Sequence, residues 1–419
     1  MTKQTSDLTT VPSLMHPEVQ KCPYDLYRRL RSEAPVFRMP DTGFHLVTSF
    51  DLCQDVIKQP DLFASGVSPM ALRPEGVPEE VIALYSEQGW LPKASCSTSD
   101  PPRHTWVRDI LSKMFTVKRV RDITPYIDAT AHALIDDFIA KDAVEFVSAF
   151  AHPLPMIIIA EQIGVEADNL ELFKDWSDAI VEPFSMMVSR EREIECARLV
   201  VDMQHFFVEK VEARRRAPSD DLLSLVATAR DGDGNYLAMD EVLSILTIDL
   251  LASGNETTTA AISSGMLMLC NFPEIAEVLR QDPSRIAVFI EEVLRLESPA
   301  QGMFRLVTED TVLGGVPLRA GDLLSLRFGA ANRDGHVFSS PENVDLNRKH
   351  AGKHLAFGQG RHHCVGAPLA RQELISAFTI LLERMRDFKL AAPTQEYSYT
   401  PSFFGRQLET LDIMFARAD

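Results

Sequence analysis

The chain has 419 residues, 45% of them hydrophobic and 24% charged, which is the composition of an ordinary globular protein and excludes a disordered or fibrous one. Its 42 basic against 60 acidic side chains give a formal charge of −18, which argues against a general nucleic-acid partner and leaves only a local basic patch for any acidic one. Six cysteines are scattered with no CxxC pair, which points to a reducing compartment and not to a disulfide framework.

Length alone exceeds a single hydrophobic core and suggests two or three domains, yet composition sets no internal boundary. Residues 1–19 show no basic segment followed by an apolar core, and no apolar stretch reaches the ~20 residues of a membrane span. The expectation is a cytoplasmic protein. Residues 24–30 read as a helix, and a hairpin of 35–38 and 44–47 follows around Pro40-Asp41-Thr42-Gly43. Over 71–102 periodicity weakens and Pro and Gly recur, predicting a long loop with a short helix near 79–87, a kind of loop that lines binding sites. Helical periodicity dominates 103–230, for example in Ile127, Ala131, Leu134, Ile135, Phe138 and in Val200, Met203, Phe206, Phe207, Val211. Asp231-Gly232-Asp233-Gly234 marks a turn. From Met239 to about Cys270 the chain is nearly all apolar or small, with Asp240 placed to cap the start. A helix of that length, about 45 Å, must be buried. Residues 284–297 form a further helix, and β pieces follow at 312–316 and 323–326. Polar coil over 335–356 leads to a cysteine loop, a helix over 367–385, and strand-like alternation at 397–404 and 411–415.

Phe357-Gly358-Gln359-Gly360-Arg361-His362-His363-Cys364-Val365-Gly366 constrains the chemistry most tightly. It reads as a haem-thiolate loop, in which a cysteine sulfur is the proximal ligand of haem iron. Gly358, Gly360 and Gly366 allow left-handed turns close to a flat macrocycle. Phe357 covers the sulfur, and loop amides tune it. The helix that begins after Gly366 places Cys364 near a helix N-terminus, which favours negative charge. A lone cysteine is more often a small buried hydrophobe, but the surrounding pattern outweighs that reading. Zinc held by His362, His363 and Cys364 is disfavoured, because consecutive residues rarely converge on one tetrahedral ion.

With this loop, the long helix and Glu292-Val293-Leu294-Arg295 in this order, the chain resembles the soluble bacterial cytochrome P-450 monooxygenases over at least residues 100–410. The loop matches Phe-Gly-x-Gly-x-His-x-Cys-x-Gly at every fixed position. The resemblance implies a mostly α fold with a smaller β region, as one domain over 1–419. Its β-rich parts would be about 30–70 and 300–330 and its helical core about 103–300 and 365–386, with a long central helix over haem and the cysteine loop beneath. It implies haem b (iron protoporphyrin IX), with Cys364 on the iron and Phe357, Gly358 and Gly254 against the cofactor. His104, Arg108, Arg305 and His362 would hold the propionates, and His363 falls on a variable position. Glu292 and Arg295, with Arg348 or His354, would lock the core behind the haem.

Ser253-Gly254-Asn255-Glu256-Thr257-Thr258 resembles the family's acid–alcohol segment. Thr257 Oγ can compete for the carbonyl of Ser253 and open the helix, while Gly254 leaves the gap unfilled. The resemblance assigns Thr257 to hydrogen-bond oxygen as it is reduced and Glu256 to relay protons from solvent. It implies an enzyme that activates dioxygen with two externally supplied electrons and hydroxylates a hydrophobic small molecule, whether terpenoid, steroid, fatty or polycyclic aromatic. By family position the substrate pocket draws on Trp90, Leu91, Phe184, Met186, Met187, Ile248, Ala252, Gly302, Met303, Phe304, Phe403 and Phe404. No flavin, nicotinamide or iron–sulfur motif is visible. Electrons would therefore come from a nicotinamide cofactor through a separate ferredoxin reductase and ferredoxin, docking near Lys113, Lys118, Arg119, Arg121 and Arg361. A peroxygenase or isomerase on the same scaffold, or a non-enzymatic haem sensor, is the alternative. Glu256 and Thr257 favour the monooxygenase.

Overall fold

The computed structural model describes residues 11–67, 72, 76–165, 170–392 and 397–418, so the leader reading over 1–10 and residues 71 and 73–75 of the long loop lie outside the described residues. Helices dominate, and a continuous rod from Met239 to Asn271 runs through them as α-helix Met239–Ser244, π-helix Ile245–Ala252 and α-helix Ser253–Asn271. Its first half packs Val242, Leu246 and Leu250 into a hydrophobic cluster with Phe173, Val200 and Phe207. Its second half packs Ala261, Ile262 and Met266 into another cluster with Phe289, Val293 and Phe378. Burial of each such Phe contributes about 1.5–3 kcal/mol. A Cβ on Gly265 would lie 2.3 Å from the Phe378 ring, so the rod and helix Ala367–Arg384 approach this closely only because residue 265 has no side chain. Between the two clusters Ser253, Gly254 and Thr257 face open space.

The rod does not start on Asp240. Its cap position is Ala238, which puts Asp240 inside the first turn, where it pairs with Lys93 at 2.9 Å. The widening expected at Thr257 lies a turn or more earlier, in Ile245–Ala252, where the Ser253 hydroxyl donates five residues back to the Ile248 carbonyl at 2.9 Å.

Five strands form the larger sheet in the order Val36–Arg38, His45–Val47, Leu323–Arg327, Gly302–Val307 and Phe63–Ala64. The hairpin is present as expected, with Val36 opposite Val47 and Gly43 at φ 73° in its turn. In Gly302–Val307, Met303 pairs with Leu326 and Arg305 with Leu324. A Cβ on Gly302 would meet the Leu326 carbonyl oxygen at 2.2 Å, so this strand requires glycine there. A second sheet joins Ala143–Glu145, Met385–Leu390 and Asp412–Arg417, with the last in the middle. Residues 397–404 do not extend it. They hold only an isolated bridge from Tyr399 to Leu408, because Phe403 and Phe404 turn into a side-chain cluster instead of a ladder.

Candidate active site

The cysteine loop is built by its backbone. Gly358 and Gly360 take φ values of 62° and 65°, the left-handed region that favours glycine, whereas Gly366 sits at φ −79° and has no such need. The Cys364 N–H donates to Phe357 O at 2.8 Å, closing the loop. The sulfur opens into a cavity that extends up to the rod and holds about 290 Å³ reachable by the centre of a water molecule. Burial raises the Cys364 thiol pKa, while the amides of Gly366 and Ala367 and the charges of Arg108 and Arg371 pull it down. These opposing groups are the ones that would stabilise a thiolate.

Arg108, Arg305 and His362 line the same cavity, and His104 packs on His362. The His104 and His362 rings lie 4.4 Å apart. His104 Nε2 and both ring nitrogens of His362 lack a hydrogen-bond partner of ordinary geometry. Burial, with Arg305, His104 and Arg361 nearby, pushes His362 down to about 3. Burial also brings Arg305 down to about 10, against the pull of Asp100. Arg108 donates to the His363 carbonyl. This cluster is built to receive anionic groups from a bound molecule.

Behind the loop, Glu292 and Arg295 are fully buried and joined by two hydrogen bonds of 2.7 and 2.9 Å. Arg348 completes the set, donating to Glu292 Oε1 at 2.7 Å. His354 does not join it. It bonds Glu291 at 3.1 Å, and Arg371 bonds that same carboxylate at 2.6 and 3.1 Å. Arg371 also lies 4.4 Å over the Phe357 ring, so Glu291 ties helix Ile286–Glu297 to the cysteine loop. Nothing in the sequence singled out Glu291, since a second glutamate beside Glu292 gives no signal of its own.

The rod contributes Leu250, Ser253, Gly254, Thr257 and Thr258 to the wall of the cavity. The Thr257 hydroxyl donates to Ser253 O at 3.4 Å, too long to distort the helix strongly. A Cβ on Gly254 would meet only Ile159, at 3.9 Å, so the glycine leaves the wall low but relieves no clash within the protein. Glu256 is not part of the wall. Burial, reinforced by the like charges of Asp178 and Glu182, pushes it up to about 8. Glu373, on helix Ala367–Arg384, does line the cavity, and burial pushes it up to about 8 against the opposing Thr258 hydroxyl. A glutamate nine residues after Cys364, in an otherwise apolar helical face, was the signal that could have found it.

The proposed substrate residues divide. Met303 lines the cavity with Arg305. Phe304 between them points to the opposite face of the sheet, because strand side chains alternate, and stacks on Phe403 at 5.7 Å within a separate core cluster. Phe404 and Met186 pack on that cluster as well. Trp90 packs against His205 at 5.3 Å, Phe184 and Ala252 join the other rod cluster, and Leu91 is exposed. Met187 accepts from Gln20, and neither it nor Ile248 or Gly302 is among the lining residues. Residues that line the cavity and were not expected include Leu111, Phe115, Ile159, Asp249 and Ala300.

Comparison with known proteins decides the family. The family model for cytochrome P-450 matches residues 73–401. The chain belongs to the cytochrome P-450 family. It is 32% identical over 411 residues to the biotin biosynthesis cytochrome P-450 of Bacillus subtilis, covering 97% of this chain and 100% of that one. It is 33% identical over 391 residues to the steroid C26-monooxygenase of Mycobacterium tuberculosis, covering 93% and 92% of the two chains. The solved structure of cytochrome P-450 CYP109Q5 from Chondromyces apiculatus superposes with a TM-score of 0.84 at 34% identity, covering 97% of this chain and 98% of that one. The mostly helical fold is that of the family, and the protein is an oxidoreductase of the monooxygenase class. The family implies haem, and the residues present fit it: a sulfur opens on one side of the cavity, and partnerless buried imidazoles and a desolvated arginine stand ready for carboxylates at its edge. No helix among the described residues is long and apolar enough to cross a membrane.

Proposed function

We propose that this P-450 holds haem b through Cys364 Sγ and hydroxylates a hydrophobic small molecule of terpenoid, steroid, fatty or polycyclic aromatic class. The observation that carries this reading is a single cavity lined by Cys364, Thr257, Arg108, Arg305 and His362, with the His362 ring nitrogens unpartnered. His104, Arg108, Arg305 and His362 take the propionates, and Phe357 and Gly358 shape the loop beneath. Bound haem supplies the binding and two-electron reduction of dioxygen. The chain's residues manage protons and water. Thr257 holds a proton at Oγ1 on the cavity wall, with Ser253 O as its resting partner. Glu256, held near 8 and so largely protonated at neutral pH, is the reservoir that reloads it from the side of Asp178 and Glu182. Leu250, Met303, Leu294 and Ala261 keep the chamber mostly apolar, which suits an oily substrate.

Electrons come, in this proposal, from a nicotinamide cofactor through a ferredoxin reductase and an acidic ferredoxin. Of the expected patch, Arg119 is already paired with Asp220, Arg121 with Asp122 and Arg361 with Asp61. Among the described residues Lys113 and Lys118 make no ion pair, and Val117, next to Lys118 in the chain, is 81% exposed. An apolar centre with cationic edges suits transient docking of an acidic protein. All six cysteines are unpaired, which supports the cytoplasm as the working compartment. The proton role is tested by Thr257→Ala in a reconstituted turnover assay. Nicotinamide consumption continues, peroxide accumulates, and product per electron pair falls at least ~tenfold. Unchanged coupling overturns the role.

A further inference from the structure

The cavity wall contains a carboxylate that this reading leaves unused. Asp249 lies in the π-helical stretch, eight residues before Thr257, which places it roughly 10 Å away along the axis. It lines the same cavity as Thr257 and Cys364. Its Oδ1 accepts the Cys96 N–H at 2.8 Å, and among the described residues Oδ2 has no recorded hydrogen-bond partner. The charged groups that act on it are Arg103 and Glu241, and these bond each other at 2.7 Å, with Arg103 also held by the Ala94 carbonyl at 2.9 Å. Neither therefore satisfies Oδ2.

A purely structural role explains one of its oxygens. Asp249 Oδ1 helps fasten the 91–99 loop to the rod, but Lys93 already does so twice, through its N–H to Ser244 Oγ at 2.8 Å and its ammonium to Asp240 at 2.9 Å. The residue itself lines a chamber whose wall also includes Leu111, Phe115 and Leu250. Burial pushes Asp249 up to about 7, against the Cys96 N–H and Arg103. A hydrogen-bonding carboxyl in such a wall disfavours apolar occupants that leave it unpaired and favours one that pairs with it.

We propose that Asp249 is a specificity-determining residue whose Oδ2 takes a hydrogen bond from a substrate hydroxyl, fixing that end of the molecule two helical turns from Thr257. The substrate class is then an apolar skeleton that already carries a hydroxyl about 10 Å from the carbon to be oxidised, as in a long-chain or polycyclic alcohol. This rests on the cavity being the haem and substrate chamber.

The test uses the holoenzyme and two matched pairs, 1-dodecanol with dodecyl methyl ether and testosterone with its 17-methyl ether. Dissociation constants are read from the substrate-induced absorption change of the haem and from calorimetry. In the wild type at least one alcohol binds about tenfold or more tightly than its ether. Asp249→Asn keeps an acceptor for the Cys96 N–H but turns an N–H donor into the chamber, and it erases the preference. Asp249→Ala erases it too, leaving alcohol and ether alike. If wild type binds each alcohol and ether equally, or binds neither pair, the proposal is overturned. It is also overturned if Asp249→Ala weakens alcohol and ether by the same factor, since that is loss of the loop anchor alone. A carbon-monoxide spectrum of thiolate type in the same samples shows that such a failure belongs to Asp249. Its absence from the wild type instead overturns the chamber reading itself, and this proposal with it.

Discussion

Replacing Glu292 by alanine removes the common partner of two buried arginines. Arg295 loses hydrogen bonds of 2.7 and 2.9 Å, Arg348 loses one of 2.7 Å, and the Asp345 N–H loses its acceptor at 2.9 Å. Arg295 keeps the carbonyls of Asn332, Pro341 and Asn343, so its guanidinium stays in place while its charge is left uncompensated. Breaking a buried pair from one side costs about 3–5 kcal/mol, much more than an exposed pair is worth. Against a total stability of about 5–15 kcal/mol, that is a fifth or more of what holds the fold. Urea unfolding of the full chain, followed by far-ultraviolet circular dichroism, measures it. Glu292→Gln, which keeps one acceptor oxygen and the shape, falls between wild type and Glu292→Ala. A loss below about 1 kcal/mol for the alanine variant refutes the reasoning, because the cluster would then behave as a surface pair.

Acid stability should carry the mark of Glu291. Burial alone would raise its pKa, but His354 and Arg371 hold it down to about 2 against a usual 4.5. A depressed carboxylate contributes stability that is complete above about 4.5 and is lost as pH falls toward 2, up to about 3 kcal/mol. Acid titration of Glu291→Gln therefore shows a shallower fall across that window than wild type; equal slopes contradict the assignment. At the proposed docking face, Lys118→Glu raises the KM for an acidic ferredoxin about fivefold at low salt, an effect of about 1 kcal/mol that shrinks as salt is added. A salt-independent KM removes Lys118 from the docking surface.

The cysteine loop was legible because its spacing is set by local backbone demands: Gly358 and Gly360 do adopt left-handed φ values. The long rod was legible from its continuous apolar content. What the sequence hid depends on three-dimensional direction. Met303, Phe304 and Arg305 are consecutive, and only the sheet register shows that the first and third face the cavity while the second does not. The widened turn was expected at Thr257 from a local hydroxyl contact, but it falls within Ile245–Ala252, ending at the Ser253 hydroxyl's bond to the Ile248 carbonyl. Glu291 beside Glu292 carries a different set of partners from its neighbour, since adjacent helix positions point about 100° apart. Asp249 was visible as a charge in an apolar run, yet periodicity alone gives no sense of which side of the rod is hollow.

The central claim is that Cys364 sulfur would bind haem iron in the cavity that Thr257 also lines. The reduced, carbon-monoxide-bound absorption spectrum of the holoenzyme tests it most directly. A strongly red-shifted Soret band, present in the wild type and lost in Cys364→Ala, is the predicted result. An imidazole-like spectrum in the wild type, or a red-shifted band that survives in Cys364→Ala, contradicts it.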